Sequence, residues 1–430
     1  MIETKPNPNQ LVEDVDAYIF LLQDLLWKIL KDAEEMPALK KRFGKLFKKG
    51  YPESLQLPKA YLTLIAHLLK FDPLPLEPHQ FPNGTAVMDT LGCYEAKEIA
   101  EPIELAQLGI LWMILGVRQK NDVLQRAGLK VALWQIHLLD GQGRPHLSTW
   151  CRASVFRFST LLLWNYVLFT IAYRMTGEKM FAQLAEKAKE QAWDPDAFQL
   201  QLLHLVPSTM IPSIVSPFQP FSEEITVGII KFATAEMSFI AQVSGWNSGL
   251  FSFHKRHVAI LNSGPQMGAF DDLSKFGIQR TWGEKNSAFQ DVTWEKTAYH
   301  CHLKGWTRLA AAPLWLSFDS KVQAGQATID LKLQEKPLSE EVSFLLFLKA
   351  EKLVVGGKHL LAPAALDGYE GKPLPIELQG DGEKMVVQTD GITSMKVIPL
   401  AGGDHFWGAE FLVALTLETS SQASFHLCIK

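Results

Sequence analysis

Four residues in one short stretch have side chains able to move a proton or bind an anion: Asn247, His254, Arg256 and His257. A neutral imidazole takes up a proton near pH 7, an amide or guanidinium neutralises a carboxylate, and the planar fork of arginine matches a carboxylate better than lysine does. They lie within residues 244–266, where a glycine-rich turn leads into a strand that carries the histidines. The competing reading is structural. Alternate residues at the start of a strand point outward, and His254 and Arg256 need do no more than that.

Further candidates are scattered. Arg144 and His146 belong to Asp140-Gly-Gln-Gly-Arg-Pro-His146, a turn that must present its polar side chains to solvent and so suits the mouth of a cleft. Tyr166 and Tyr173 are seven apart and share a helix face, with Asn165 and Arg174 beside them, and core packing is the alternative. Trp246, Trp282 and the His405 and Trp407 of Asp404-His-Phe-Trp407 offer surfaces for a sugar ring, although a large fold also spends tryptophan on its core. His300 and His302 are two apart on a strand and face one side, but a metal would need at least one more ligand that spacing does not identify. No cofactor is therefore expected, the alternatives being zinc at that pair or a calcium ion elsewhere.

The elements that must position these residues change period along the chain. After a loose arm at 1–10, apolar residues recur at three and four from Leu11, and helices are expected across 11–206, including one from 101 that Pro102 opens, one from Asn121 as N-cap, and one over 149–176. Residues 37–49 form a short helix with Lys40, Lys41, Arg42, Lys45, Lys48 and Lys49, either a solvated face or a polyanion site. A proline-rich linker covers 207–221. From 222 to 430 short β-branched or aromatic runs alternate between Gly, Asp and Pro turns with no helices interposed, the pattern of an antiparallel β-sandwich.

Composition bounds the rest. The 430 residues are 47% hydrophobic and 20% charged, too long for a single core, and the net charge of −4 gives no broad basic field for nucleic acid. Four dispersed cysteines read as reduced core thiols. The apolar runs Leu108–Val117 and Phe158–Tyr173 fall short of the roughly 20 residues that span a bilayer, so no membrane span is expected. The amino terminus lacks the basic start and apolar core of a secretory signal, which favours the cytoplasm and leaves secretion by another route open. Nucleophile elbows, phosphate loops and dinucleotide fingerprints are absent from the sequence.

Helices followed by a sandwich, with Asn247-Ser-Gly249, His254, His257, the run Val258-Ala-Ile-Leu261 and the turn Ser263-Gly-Pro265, resemble the heparinase II/III-like polysaccharide lyases. The histidines stand three apart where that family's motif has two, and its following Asp is missing. The resemblance implies a multidomain α+β fold, an (α/α) toroid-like domain followed by an antiparallel β-sandwich. It implies β-elimination on an acidic polysaccharide or oligosaccharide in an interdomain cleft. Asn247 would then bind the uronate carboxylate, His254 would be the base, and Tyr166 the acid. The alternative is a catalytically inactive relative that binds a glycan or a protein.

Overall fold

The structure, a computed structural model, describes residues 8–31, 36–48, 56–71, 76, 102–146, 158–191, 194, 197–208, 229–234, 236–242, 249–267, 289–297, 299–308, 315–323, 325–333, 341–362, 367–400, 408–417 and 424–430. The chain divides into two compact units. One comprises Met1–Ala96, Pro102–Gln135 and Ser159–Gln219; the other comprises Lys97–Glu101, Ile136–Phe158 and Pro220–Lys430.

The first unit is helical: α1 (Pro8–Lys31), α2 (Met36–Lys48), α3 (Gln56–Leu69), α4 (Pro102–Gln119), α5 (Asp122–His137), α6 (Phe158–Thr176), α7 (Lys179–Gln191) and α8 (Phe198–Gln201). Ile19, Leu22, Leu25, Leu26 and Ile29 place one stripe of α1 in the interior. Helix α4 is buried on every side from Glu104 to Gly116, which accounts for an apolar run without a polar face. Pro102 opens it, where a missing N–H costs nothing. Asn121 caps α5, its Oδ1 accepting the N–H groups of Val123 at 3.0 Å and Leu124 at 3.3 Å. Helices α1, α3 and α4 are tied by a polar knot in which the Tyr61 hydroxyl donates to Gln107 Oε1 at 2.8 Å and Gln23 Nε2 donates to the same oxygen at 2.9 Å. Among the described residues no helix is long and apolar enough to cross a membrane.

The second unit is built from two antiparallel sheets. One runs in the order β1 (Ile229–Ala233), β2 (Met237–Gln242), β3 (Phe251–Lys255), β4 (Val258–Met267), β9 (Val342–Lys349), β16 (Phe411–Leu417), β15 (Ile392–Pro399) and β12 (Tyr369–Gly371). The other runs β11 (Lys358–Leu361), β10 (Lys352–Val355), β13 (Ile376–Gly380), β14 (Glu383–Asp390), β17 (Ser424–Ile429), β8 (Gln326–Leu333), β7 (Trp315–Gln323), β6 (His300–Arg308) and β5 (Phe289–Lys296). Both sheets contribute to one apolar core. Phe251 and Phe344 of the first sheet stack at 6.4 Å, Phe251 meets Phe318 of the second at 6.4 Å, and Phe344 meets Phe425 at 5.3 Å. The expected fold class stands: a mixed α+β chain, helices first and antiparallel sheets after.

Two local expectations are corrected. Phe251-Ser-Phe-His-Lys255 is a strand of its own, so His254 belongs to β3, and Arg256 and His257 form the two-residue turn into β4. The backbone of Arg256 takes φ +40°, as tight hairpin turns demand. Ser263-Gly-Pro265, expected as a closing turn, instead continues β4 against β9 beyond a bulge between Ile260 and Asn262.

Gly249, just before β3, lies against β4 so closely that a Cβ would fall 1.8 Å from Asn262 Oδ1 and 2.7 Å from the Ser263 carbonyl. Asn262 is fully buried and its Oδ1 accepts the Ser263 N–H at 2.8 Å, so it has no room to withdraw. Gly249→Ala is expected to destabilise the fold by about 1–3 kcal/mol, read as a lowered urea midpoint with an unchanged m-value. A midpoint equal to that of the parent chain would refute this packing.

Candidate functional site

Alternation along β3 sends Phe251 and Phe253 into the core and Ser252 and His254 to the other face of their sheet. Register widens that polar face. Ser238 on β2 is opposite His254, His254 is opposite Ala259, and Ala259 is opposite Lys349, while Lys231 on β1 is opposite Ile240, itself opposite Ser252. The turn Leu138–His146 closes over this patch. It is drawn tight by the Asp140 N–H donating to the Arg144 carbonyl and the His146 N–H to the Leu138 carbonyl, both at 2.8 Å, with Gly143 at φ +79°. Lys231 Nζ donates to the Leu139 carbonyl and fastens the start of the turn to the sheet.

Asp140 is the hub. Its Oδ1 accepts the backbone N–H groups of Gln142 at 2.8 Å and Arg144 at 2.9 Å, and its Oδ2 accepts Arg144 Nε at 2.8 Å and His254 Nδ1 at 3.0 Å. The ring of His146 stacks on that of His254, centroids 4.1 Å apart and planes 23° off parallel. His146 is held at both nitrogens, Nδ1 against Ser252 Oγ at 2.6 Å and Nε2 against Ser238 Oγ at 2.7 Å. His254 exposes 2% of its surface and His146 none.

Burial alone would raise the Asp140 pKa, but the bond from His254 and the charge of Arg144 outweigh it and hold the carboxyl well below the usual range. Burial pushes His254 down, against the opposing pull of Asp140. Burial also pushes His146 down, assisted by the positive charge of Lys231. The site therefore pairs a carboxylate with two neutral imidazoles. An ionised carboxylate only accepts, so His254 carries its hydrogen on Nδ1 and presents a bare lone pair at Nε2. That Nε2 and the Nη2 of Arg144 are buried and have no hydrogen-bond partner among the described residues. Both residues line one small recess with Gln142, Thr234, Glu236 and Arg256.

Comparison with known proteins gives one kind of match. No family model fits the chain, and no curated protein matches it in sequence. Xanthan lyase from Paenibacillus superposes with a TM-score of 0.53 over 86% of this chain and 43% of its own, at 10% identity. The fold is shared with that xanthan lyase. The chondroitin AC lyase of Streptomyces coelicolor A3, solved with chondroitin sulphate, aligns over 88% of this chain and 60% of its own at 9% identity and a TM-score of 0.42. A heparan sulfate lyase HepC mutant from Pedobacter heparinus aligns over 91% and 64%, at 10% identity and a TM-score of 0.32. The chain spans under half the length of the xanthan lyase, and identity this low concerns the lyase fold alone.

Within the lyase fold the sequence candidates separate. His254, Arg144 and His146 come together as described. Arg256 and His257 are exposed in their turn, Arg256 paired with Glu383 at 2.7 Å and His257 with Asp381 at 3.4 Å; Arg256 still borders the recess. Tyr166 lies half-buried on α6, whereas Tyr173 is 42% exposed, and Arg174 donates to the carbonyls of Leu203 and Val206 at 2.8 Å each. Asn165 is buried with neither side-chain atom partnered among the described residues. Asn247, Trp246, Trp282, His405 and Trp407 lie outside the described residues. His302 Nε2 meets Asp319 at 2.8 Å and His300 Nε2 meets Glu295 at 3.4 Å, so the two rings face different carboxylates. Among the described residues no three His, Cys, Asp or Glu are grouped to hold a metal ion.

The turn expected to face solvent does so only at Gly141 and Gln142; Asp140 and His146 are buried instead, because they find partners on the sheet. Sequence reasoning missed Asp140, Ser238, Ser252 and Lys231. The strict alternation Phe-Ser-Phe-His-Lys was the available signal for β3 and hence for the face carrying Ser252. The unfolded chain protonates both imidazoles near pH 6.5, while the folded chain does so only at lower pH. Stability is therefore full above about pH 7 and falls on acidification, by up to about 1.4 kcal/mol per pH unit for each ring. Urea midpoints at pH 7.5 and 5.5 check this; the drop in His146→Gln is expected to be half as steep, and a pH-independent midpoint in the parent chain would rule it out.

Proposed function

We propose that the protein is a carbohydrate-active enzyme related to the heparinase II/III-like lyases, which opens an acidic polysaccharide or oligosaccharide by β-elimination. The lyase fold supports the class. The observation that carries the chemistry is a pair of buried atoms without partners among the described residues, His254 Nε2 and Arg144 Nη2, on two residues that line one recess. In β-elimination a base removes the proton α to a uronate carboxylate, the carboxylate is neutralised as the enolate forms, and the bond to the 4-linked oxygen breaks as that oxygen gains a proton. His254 Nε2 is the lone pair for the first step, with Asp140 fixing the tautomer. The guanidinium of Arg144, already anchored by Nε to Asp140, offers Nη2 to the carboxylate. Asn247, by its match to the family turn, is a further carboxylate ligand, and Tyr166 is the residue type for the acid.

A second reading rests on one observation, the 2% exposure of His254. On that reading the cluster is a fastening for the turn, and the protein binds a glycan or a partner without cleaving it.

A panel of uronate polymers distinguishes the two, with unsaturated product followed by its ultraviolet absorbance. The lyase reading expects product from at least one polymer, a fall in turnover of about 10²–10⁴ in His254→Ala, and a raised KM in Arg144→Gln, with each variant checked by thermal melting. Binding of a polymer with cleavage of none would establish the second reading.

A further inference from the structure

We propose that the exposed face of α2 is a docking surface for an acidic polysaccharide chain; the choice of polysaccharide rests on the lyase reading above. Within α2, Leu39 and Phe43 point inward and are buried, one turn apart. Lys41 and Lys45 stand one turn apart on the opposite side, flanked by Lys40 and Arg42, and all four are exposed. The helix contains no acidic residue. Asp24 on α1 serves two of the surrounding cations at once, Lys28 at 3.0 Å and Arg42 at 3.4 Å. Lys40, Lys41 and Lys45 have no carboxylate partner among the described residues. Asp32, Glu34 and Glu35, which precede the helix in sequence, lie outside the described residues.

Folding gains little from this arrangement. Like charges one turn apart weaken a helix, and only Lys45, near the carboxyl end, is favoured by the helix dipole. The chain as a whole carries −4, so these cations form a local positive field on an acidic protein. Exposed Lys70 and Phe71 follow α3, and the Phe71 ring, 40% exposed, packs on Phe43 with centroids 5.3 Å apart. An apolar ring beside a line of cations fits a chain that alternates sugar faces with anionic groups. An anionic bilayer fits less well, because the apolar side of α2 is already committed to the interior and has nothing to insert.

The test is equilibrium binding of the full chain to polygalacturonate and to dextran sulfate, with neutral dextran as control, across a salt series. The parent chain is expected to bind the acidic polymers with an affinity that falls steeply with salt, and to ignore dextran. Lys40→Gln/Lys41→Gln/Lys45→Gln is expected to bind about tenfold more weakly, with the salt slope reduced by roughly one per removed charge, and to melt no lower than the parent. Unchanged binding in the triple variant overturns the proposal, and so does stronger patch-dependent binding to duplex DNA or to phosphatidylserine vesicles than to either polymer. Loss of polymer binding in the triple variant of a protein that cleaves nothing supports the docking surface and counts only against the lyase reading.

Discussion

One buried carboxylate organises the second unit's polar face. Asp140 accepts four N–H groups, two from its own turn, one from Arg144 and one from His254. Moving a charge out of water costs several kcal/mol on the order-of-magnitude scale for buried ions, and the cost is met only when the lone pairs are filled. Here they are filled by groups that thereby become ordered. The backbone donors fix the turn, Arg144 Nε fixes the guanidinium plane, and His254 Nδ1 fixes an imidazole. His146 follows, since it lies on that imidazole and is gripped between two serines of adjacent strands. Without Asp140, His254 Nδ1 and Arg144 Nε would be left as buried donors without their acceptor, each a larger loss than the bond itself.

The same burial decides the proton chemistry. A carboxylate beside an imidazole normally favours imidazolium, and Asp140 does pull His254 in that direction. Burial outweighs it, and a second charge on the stacked His146 would be disfavoured further. The result is a neutral imidazole whose tautomer is set from one side, which leaves the lone pair on Nε2. A solvated His–Asp pair would be the stronger base but would hold a proton already near neutral pH; burial keeps this imidazole unprotonated at the expense of base strength. Exclusion of water thus keeps Nε2 unprotonated, and the lyase reading and the fastening reading differ in whether a substrate reaches that atom.

Much of the architecture was legible because it depends on pattern. The three-and-four spacing of α1, the capping Asn121 and Pro102 at the start of α4 each act over a few residues. The site was only partly legible because its bonds are long-range. His254 meets Asp140 across 114 positions, His146 meets Ser252 across 106 and Ser238 across 92. No local rule reveals that the Asp140–His146 turn will find its partners on a sheet, so polar residues there read as solvent-facing. The error at His257 has a different origin: a two-residue turn with a positive φ at Arg256 carries neither the glycine nor the asparagine that usually announces one.

The lyase fold and the cluster place unequal demands on sequence. At 10% identity to the xanthan lyase the fold survives, since it asks for apolar residues at the right period and polar ones at the turns, and many sequences satisfy that. The cluster asks for individual side chains at individual registers: Ser238 opposite His254, Ser252 two residues before it, and Lys231 one strand beyond Ile240. Replacing any of these by an apolar residue of similar size would leave the period of β1, β2 and β3 unchanged while stranding a partner. A sheet face that needed only to be covered would be met more cheaply by apolar side chains, which carry no desolvation cost. That this chain places an imidazole, two hydroxyls and a lysine there instead, meets them with a second imidazole from the turn, and leaves one ring nitrogen without a partner among the described residues, is the basis for proposing that this face does chemistry.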